Sequence, residues 1–203
     1  MMEKALLIFA KNLIYGRVKT RIAATMGNDL ALDIYQQLLS RTHLAAKTAD
    51  ADKIVFYSDY IEEDIWDIKE FEKEIQQGND LGERMKNAFI TAFEKSYEKV
   101  IIVGTDCPQI DEKILEDAFA ELDDHDIIIG PSTDGGYYLL GLKKAEPFLF
   151  ENIKWSTGSV LKETISRCIT NNWSYFLLPE LTDIDEEKDL AHFKETFNFK
   201  GDF

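Results

Sequence analysis

The most informative stretch of this 203-residue chain is Val100-Ile101-Ile102-Val103-Gly104-Thr105-Asp106-Cys107-Pro108. Four consecutive apolar residues are typical of a strand that is covered on both faces. Gly104 and Pro108 mark a turn directly after this strand. In α/β sheets, ligands bind where loops leave the carboxyl ends of the strands, so Asp106 stands at a position where a ligand would be expected.

Further apolar runs of this kind alternate with segments of helical spacing. Strands are predicted at residues 5–9, 54–57, 100–103, 127–129, 137–142 and 175–178. Helices are predicted at residues 29–49, capped by Asn28 or Asp29, at 81–97, at 111–122, capped by Asp111, and at 160–168 and 186–193. Residues 61–77 fit either a helix face or a short strand. The alternation predicts an α/β fold, a three-layer sandwich with a mostly parallel sheet, in a single domain over residues 1–203. The loops expected to carry a ligand site follow predicted strands, at residues 11–25, 104–110, 131–136 and 179–187.

The composition excludes several classes of function. The chain has 23 Lys and Arg against 38 Asp and Glu, a formal charge of −15, which disfavours nucleic acid and anionic lipid as partners. The apolar run at residues 5–10 is too short for a signal peptide or a membrane span, so we expect a cytoplasmic protein. Cys107 and Cys168 are far apart and are expected to be reduced thiols.

One segment departs from this acidic character, since residues 4–28 contain five basic residues and no acid. Gly16 would let the backbone approach a ligand closely, and Arg17, Lys19 and Arg21 would donate hydrogen bonds to a diphosphate or triphosphate. The glycines of a Walker loop are missing. The alternative interpretation is a basic turn that docks onto the acidic surface of the protein itself.

Aspartates occur at two predicted strand ends. Asp106 follows the strand at residues 100–103, and Asp183-Ile184-Asp185 follows the last predicted strand. One aspartate of the later pair could complete a Mg²⁺ or Mn²⁺ site with Asp106. Alternatively, Asp106 is only a turn residue, and Asp183 or Asp185 caps the helix that follows.

A loop rich in turn residues, Gly130-Pro-Ser-Thr-Asp-Gly-Gly-Tyr-Tyr138, connects two predicted strands. Gly135 and Gly136 permit positive φ angles and leave backbone N–H groups open to a ligand. Asp134 could accept hydrogen bonds from the hydroxyl groups of a sugar or of another substrate. A simple tight hairpin is the alternative.

Seven segments of the chain follow one another in the order found in a known family. They are Leu7-Ile-Phe-Ala-Lys, Gly16-Arg-Val-Lys-Thr-Arg-Ile, Gln77-Gly-Asn-Asp-Leu-Gly-Glu-Arg-Met85, Gly104-Thr-Asp-Cys-Pro, Gly130-Pro-Ser-Thr-Asp-Gly-Gly-Tyr-Tyr-Leu-Leu-Gly141, Trp155-Ser-Thr and Leu181-Thr-Asp-Ile-Asp. Together they resemble the small glycosyltransferases also called radical-SAM/selenodomain-associated transferases, within the nucleotide-diphospho-sugar transferase superfamily. The resemblance covers nearly the whole chain.

The resemblance implies a GT-A-like, Rossmann-like sheet with a nucleotide bound over its N-terminal half and a divalent metal held by an aspartate. Asp106 matches that aspartate, Asp185 matches a later acidic ligand, and the segment Gly16–Arg21 matches a phosphate-binding loop. Gln77, Gly78, Leu81 and Gly82 match a region that contacts the nucleobase. The matched substrate positions are Thr133, Gly135, Gly136, Trp155, Ser156 and Thr157, and the loop around Asp134 is similar to the substrate loop of 2-phospho-lactate guanylyltransferases.

These observations predict a metal-dependent transferase that uses a nucleotide-activated donor and a small acceptor. The favoured reaction is glycosyl transfer from a nucleotide sugar, with Asp106 as a metal-binding catalytic residue and Asp134 orienting the acceptor. One alternative is a guanylyltransferase-like nucleotidyltransferase that uses a nucleoside triphosphate and releases pyrophosphate. A non-catalytic nucleotide-binding module is another, and a purely structural role rests only on the acidic surface.

Overall fold

Seven strands form one sheet in the computed structural model, which describes residues 3–193. The strands are β1 (Lys4–Ala10), β2 (Asp52–Tyr57), β3 (Glu72–Ile75), β4 (Lys99–Gly104), β5 (Ile127–Pro131), β6 (Tyr137–Leu142) and β7 (Tyr175–Leu177). Their order is β3-β2-β1-β4-β6-β5-β7, and β6 runs antiparallel to both of its neighbours while the other pairs are parallel. The predicted mostly parallel sheet is confirmed.

Helices cover both faces of this sheet. They are α1 (Thr20–Met26), α2 (Asn28–Thr48), α3 (Leu81–Glu94), α4 (Glu112–Glu121), α5 (Val160–Thr170) and α6 (Glu187–Leu190), with short 3-10 turns at Pro147–Leu149 and Ala191–Phe193. Within residues 3–193, no helix combines the length and the apolar character that crossing a membrane requires.

Two apolar cores, one on each face of the sheet, produce the predicted three layers. In β4 the side chains of Ile101 and Val103 join the core under α1, α2 and α4, whereas Val100 and Ile102 join the core under α3 and α5. Successive residues of a strand point to opposite faces, so a strand covered on both faces must be apolar throughout. This is why the apolar run at residues 100–103 was sufficient to predict β4 from the sequence.

Two elements escaped the sequence analysis for identifiable reasons. β3 lies in the ambiguous stretch 61–77, and as an edge strand it carries charged residues instead of an apolar run. α1 lies within the segment expected to be a loop, because only Ile22 among its seven residues is buried. Seven residues with one buried position do not form a helical pattern.

The helix caps agree with the prediction at one position and differ at two. Asp111 caps α4 as expected, accepting a hydrogen bond from Ile114 N at 2.9 Å. Asn28 and Asp29 do not cap α2, which begins after Gly27. Neither Asp183 nor Asp185 caps α6, because Glu186 and Asp189 form a reciprocal capping box there.

The cap at Asp111 gives a test of this packing. Replacing Asp111 with Ala leaves Ile114 N without its acceptor and should lower the free energy of unfolding by about 1 kcal/mol in urea denaturation. Asp117→Ala on the same helix breaks only the exposed ion pair with Lys113 and should cost about 0.5 kcal/mol or less. Equal losses would contradict a specific capping role for Asp111.

Candidate functional site

A cavity of about 690 Å³ lies at the carboxyl ends of the parallel strands. Its walls include residues from all four loops that the sequence analysis selected, at 11–25, 104–110, 131–136 and 179–187. The first turn of α3 and residues 155–160 close it from the other face of the sheet. The position agrees with the general rule for ligand sites in α/β sheets.

Backbone hydrogen bonds after β7 bring the distant aspartates to Asp106. Leu181 N donates to Pro131 O, and Ile184 N donates to Asp106 O, both at 3.0 Å. The side chain of Ile184 is fully buried in the core, whereas Asp183 and Asp185 on either side of it line the cavity. The chain therefore presents both aspartates beside the loop that follows β4.

Lys19 lies between two of the predicted metal ligands. Its ammonium Nζ is 2.5 Å from Asp106 Oδ1 and 3.1 Å from Asp185 Oδ1. The Lys19 side chain is only 2% exposed, while those of Asp106 and Asp185 are 31% and 41% exposed. A lysine that the sequence suggested for phosphate binding thus forms a buried ion pair with both acids.

Burial and charge act in opposite directions on this group of residues. Burial alone would lower the pKa of Lys19, but the charges of Asp106 and Asp185 raise it above its ordinary value. Burial alone would raise the pKa of Asp106, but Lys19 and then Lys11 lower it. The net shifts, a higher pKa for Lys19 and a lower pKa for Asp106, both favour the charged forms.

Asp183 is a third carboxylate at the site, beside the two predicted metal ligands. Burial, followed by the charges of Asp106, Asp134 and Asp185, raises its pKa to about 7. Burial is thus the main reason that this carboxyl group holds its proton more readily than an ordinary aspartate. Among residues 3–193, however, no group of three or more His, Cys, Asp or Glu side chains is arranged to hold a metal ion by itself.

The two arginines of the basic segment lie at the rim of the cavity. Arg17 and Arg21 are 70% and 68% exposed. Their nearest acidic partners are distant, with Arg17 Nη1 at 4.0 Å from Asp59 Oδ1 and Arg21 Nη1 at 3.7 Å from Glu186 Oε1. Exposed ion pairs of this length contribute little to the stability of the fold. Both guanidinium groups remain accessible to an anionic ligand, whereas Gly16 forms the preceding turn and does not line the cavity.

The four residues predicted to contact a nucleobase are not all brought to the cavity. Leu81 lines it, but Gln77 lines a separate depression of about 220 Å³. Gly78 has a φ of 143° and its carbonyl accepts a hydrogen bond from Arg84 Nε at 3.2 Å. Gly82 lies behind the cavity wall, so for these glycines the structure shows a packing role.

Three neighbouring residues that the prediction omitted do line the cavity. They are Gln76, Asp80 and Arg84, spaced four residues apart. Gln76 Nε2 donates to Phe56 O and Ala10 O at 2.9 and 3.3 Å, which leaves its Oε1 facing Arg84 Nη1 at 3.4 Å. The i, i+4 spacing of Asp80 and Arg84 at the start of a helix could have indicated their common face.

Asp134 lines the cavity but also organises its own loop. Its Oδ1 accepts hydrogen bonds from Gly136 N at 2.9 Å and from the buried Ser132 Oγ at 2.5 Å. Such a contact of an aspartate with the backbone two residues later is typical of an Asx turn. Stabilising a tight hairpin, the alternative interpretation of this loop, therefore accounts for one of the two oxygens of the Asp134 carboxylate.

Among the neighbours of Asp134, Gly136 lines the cavity, whereas Thr133 and Gly135 do not. Thr133 Oγ1 donates to Thr182 Oγ1 at 3.4 Å. Gly135 has a φ of 87°, and a Cβ there would overlap the carbonyl of Gly158. Its own carbonyl accepts a hydrogen bond from Leu161 N at 2.9 Å, which attaches the loop to α5.

Trp155, Ser156 and Thr157, which the resemblance matched to substrate positions, all line the cavity. The Trp155 ring stands edge-on to Tyr137, with ring centroids 6.5 Å apart, and lies directly over Gly82. Its Nε1 donates to Phe150 O at 3.3 Å. This indole forms a fixed aromatic wall opposite the acidic residues.

Comparisons with known proteins found one matching family and a similar enzyme. Residues 41–157 match the family described as "Uncharacterized protein conserved in bacteria (DUF2064)". A 2-phospho-L-lactate guanylyltransferase of Methanocaldococcus jannaschii is 30% identical over 178 residues, which are 86% of this chain and 75% of the relative.

Two solved structures share the fold. A Desulfovibrio desulfuricans G20 protein, provisionally named a nucleotide-diphospho-sugar transferase, is 31% identical with a TM-score of 0.87, over 98% of this chain and 90% of its own. The inositol-1-phosphate CTP transferase of T. maritima has a TM-score of 0.56 at 15% identity, over 94% and 92%, and this similarity shows the fold alone.

The contact between Gly82 and Trp155 can be tested by adding one methyl group. A Cβ at Gly82 would overlap the indole, so Gly82→Ala should lower the free energy of unfolding by about 1–3 kcal/mol, although alanine is the better helix former. Near-ultraviolet circular dichroism should report the displaced tryptophan. Gly104 also lines the cavity, but a Cβ there would meet nothing within 4 Å. The control variant Gly104→Ala should therefore change the free energy of unfolding by about 0.5 kcal/mol or less.

Proposed function

This chain belongs to the DUF2064 family, and from that membership and the geometry of its cavity we propose that it is a metal-dependent nucleotidyltransferase. It would transfer the nucleoside monophosphate group of a nucleoside triphosphate to a small acceptor and release pyrophosphate. The transferase class follows from the 30% identical guanylyltransferase and agrees with the fold shared with other transferases.

The observation that carries this proposal is the meeting of Asp106 and Asp185 at one cation, Lys19 Nζ, inside a cavity with an arginine rim. Carboxylates that converge on one cation suit a divalent metal, and exposed arginines suit phosphate oxygens. A nucleoside triphosphate with its metal needs both kinds of group close together.

The residues present fit Mg²⁺ or Mn²⁺. The donors are hard carboxylate oxygens, which these ions prefer. A third carboxylate, Asp183, lies beside them, and burial and then the charges of Asp106, Asp134 and Asp185 raise its pKa. Mg²⁺ is commonly bound through one or two protein carboxylates together with substrate phosphates and water. Asp106 and Asp185 would hold the ion, which would withdraw charge from the phosphates during transfer.

The comparisons favour the nucleotidyl alternative over the glycosyl transfer that the sequence analysis preferred. The M. jannaschii relative is named a guanylyltransferase, which is a nucleotidyltransferase and not a glycosyltransferase. The D. desulfuricans protein is provisionally named a nucleotide-diphospho-sugar transferase, whereas the T. maritima structure is named a CTP transferase. Glycosyl transfer therefore has no specific observation of this site in its favour.

The first candidate for the acceptor is 2-phospho-L-lactate, because the guanylyltransferase relative is named for it. A phosphate oxygen of the acceptor would form a bond to the α-phosphorus, and the bond from that phosphorus to the bridging oxygen would break, releasing pyrophosphate. Phosphate monoesters have a second pKa near 6, so the attacking oxygen needs no general base at neutral pH. Arg17, Arg21 and Lys11 would neutralise the leaving pyrophosphate, and Asp134 would orient the acceptor.

The direct assay offers GTP, ATP, CTP and UTP separately with Mg²⁺ or Mn²⁺ and 2-phospho-L-lactate, and measures pyrophosphate. We expect release with one nucleotide that requires both metal and acceptor. Release of a nucleoside diphosphate from a nucleotide sugar would instead support glycosyl transfer. Nucleotide binding without any product would support the binding-module alternative.

Substituting the two carboxylates tests the metal role. Asp106→Asn and Asp185→Asn should each reduce the rate of pyrophosphate release by about 100-fold or more, since each removes a charged ligand. Asp117→Asn, an exposed change on α4 away from the cavity, should leave the rate within about twofold. An Asp106→Asn enzyme with the rate of the unaltered protein would overturn the assignment.

A further inference from the structure

We propose that Lys19 makes binding of the divalent cation depend on the nucleotide. Its ammonium group is bound to both carboxylates that would hold the cation, and it would release them when phosphate oxygens offer it another anion. The inference rests on the metal site of the proposed function and adds a positioning role for one lysine.

The contacts of Lys19 are those of an internal counterion. Nζ is in ion-pair contact with Asp106 and donates a hydrogen bond to Asp185, and the side chain is almost completely buried. Nζ lies against the Oδ1 atom of each carboxylate, so a divalent ion drawn to the same pair meets the positive charge of this ammonium group. Free metal therefore competes with a cation that is already part of the protein.

Displacing Lys19 without a new partner is unfavourable. A buried charge that loses its counterion destabilises a protein strongly, because water does not replace the lost interaction. Arg17 and Arg21 at the rim offer only further positive charge. The phosphates that these arginines would attract supply the missing anion, and Lys19 could then move from the carboxylates to the phosphates.

The backbone at Lys19 is consistent with a functional requirement for this side chain. Lys19 has a φ of 45° and a ψ of 46°, the left-handed region that favours glycine, and it is the N-cap of α1 without a side-chain capping bond. A lysine in this conformation is retained at a cost in local strain. Its backbone position directs the side chain toward the two aspartates.

This arrangement predicts a reciprocal coupling between metal and nucleotide. The nucleotide would increase the affinity for the metal, and the metal would increase the affinity for the nucleotide by the same factor. Couplings of this kind are commonly about 5- to 150-fold. If Lys19 had no influence on the metal, it would contribute nothing to this coupling between the two affinities.

The test uses Mn²⁺ alone, without nucleotide, and measures its binding by electron paramagnetic resonance. Lys19→Met should bind Mn²⁺ at least about tenfold more tightly than the unaltered protein, because the internal competitor is gone. Arg21→Met removes one positive charge at the rim without touching Asp106 or Asp185 and should change the affinity by less than about threefold. Adding Asp106→Asn to Lys19→Met should abolish the gain.

Thermal melting provides the second measurement, because Lys19→Met leaves two acids unneutralised. Mn²⁺ should raise the Tm of Lys19→Met, and of the polar variant Lys19→Gln, by more than it raises that of the unaltered protein. If Lys19 were merely structural, replacing it would lower the Tm without increasing the affinity for Mn²⁺. Equal Mn²⁺ affinity in the unaltered protein and both variants would overturn the proposal, as would variants that neither bind Mn²⁺ nor are stabilised by it.

These outcomes are separate from those of the transferase assay. The Mn²⁺ measurements need no turnover, so the absence of pyrophosphate release would count against the proposed reaction and not against the coupling. Tight Mn²⁺ binding by the unaltered protein would count against the coupling while leaving the reaction intact.

Discussion

The buried ammonium group of Lys19 joins parts of the chain that lie 166 residues apart. It connects the start of α1, the loop after β4 and the segment after β7 through two carboxylates, Asp106 and Asp185. Without a cation at this point, two acids and the neighbouring Asp183 would face one another in a partly enclosed space. The close approach of these three segments therefore depends on positive charge.

The sheet order explains how these segments reach one edge. β1 and β4 are adjacent and parallel, so the basic segment and Asp106 leave the sheet side by side. β6 runs antiparallel between β4 and β5, which places the turn around Asp134 at the same edge. The chain after β7 then follows the end of β5 through a bridge between Ser132 and Leu181 before it reaches Asp106.

The sequence was sufficient for the architecture because buried strands and amphipathic helices require apolar patterns. It was insufficient for β3 and α1, whose residues are mostly in contact with solvent. At the site, Asp106 and the pair Asp183 and Asp185 stood out because they follow strand ends, and Lys19 because it belongs to the basic segment. The choice of Asp185 over Asp183 came from the family resemblance. The alternative of a basic turn docked onto the protein's own acids describes Lys19, but its two partners were not predictable. Their meeting depends on a hydrogen bond between Ile184 and Asp106 that no local pattern encodes.

The same reasoning applies to Asp183 and Arg84. Asp183 was weighed only as a member of a pair, and what distinguishes it is its burial among other carboxylates, a property of the tertiary structure. Arg84 belonged to a motif that the resemblance had matched, but the glycines of that motif attracted the functional interpretation. Gly78 and Gly82 instead accommodate close packing against Glu83 and Trp155.

Charge within the cavity indicates what kind of ligand it suits. Its walls carry equal numbers of basic and acidic side chains, namely Lys11, Arg17, Lys19, Arg21 and Arg84 against Asp80, Asp106, Asp134, Asp183 and Asp185. A phosphate chain alone would meet attraction at the rim and repulsion from the acids deeper in the cavity. A divalent cation alone would meet the reverse. Only a ligand that brings both charges together matches both halves of the cavity, which is why the overall charge of −15 is compatible with a phosphate-binding site.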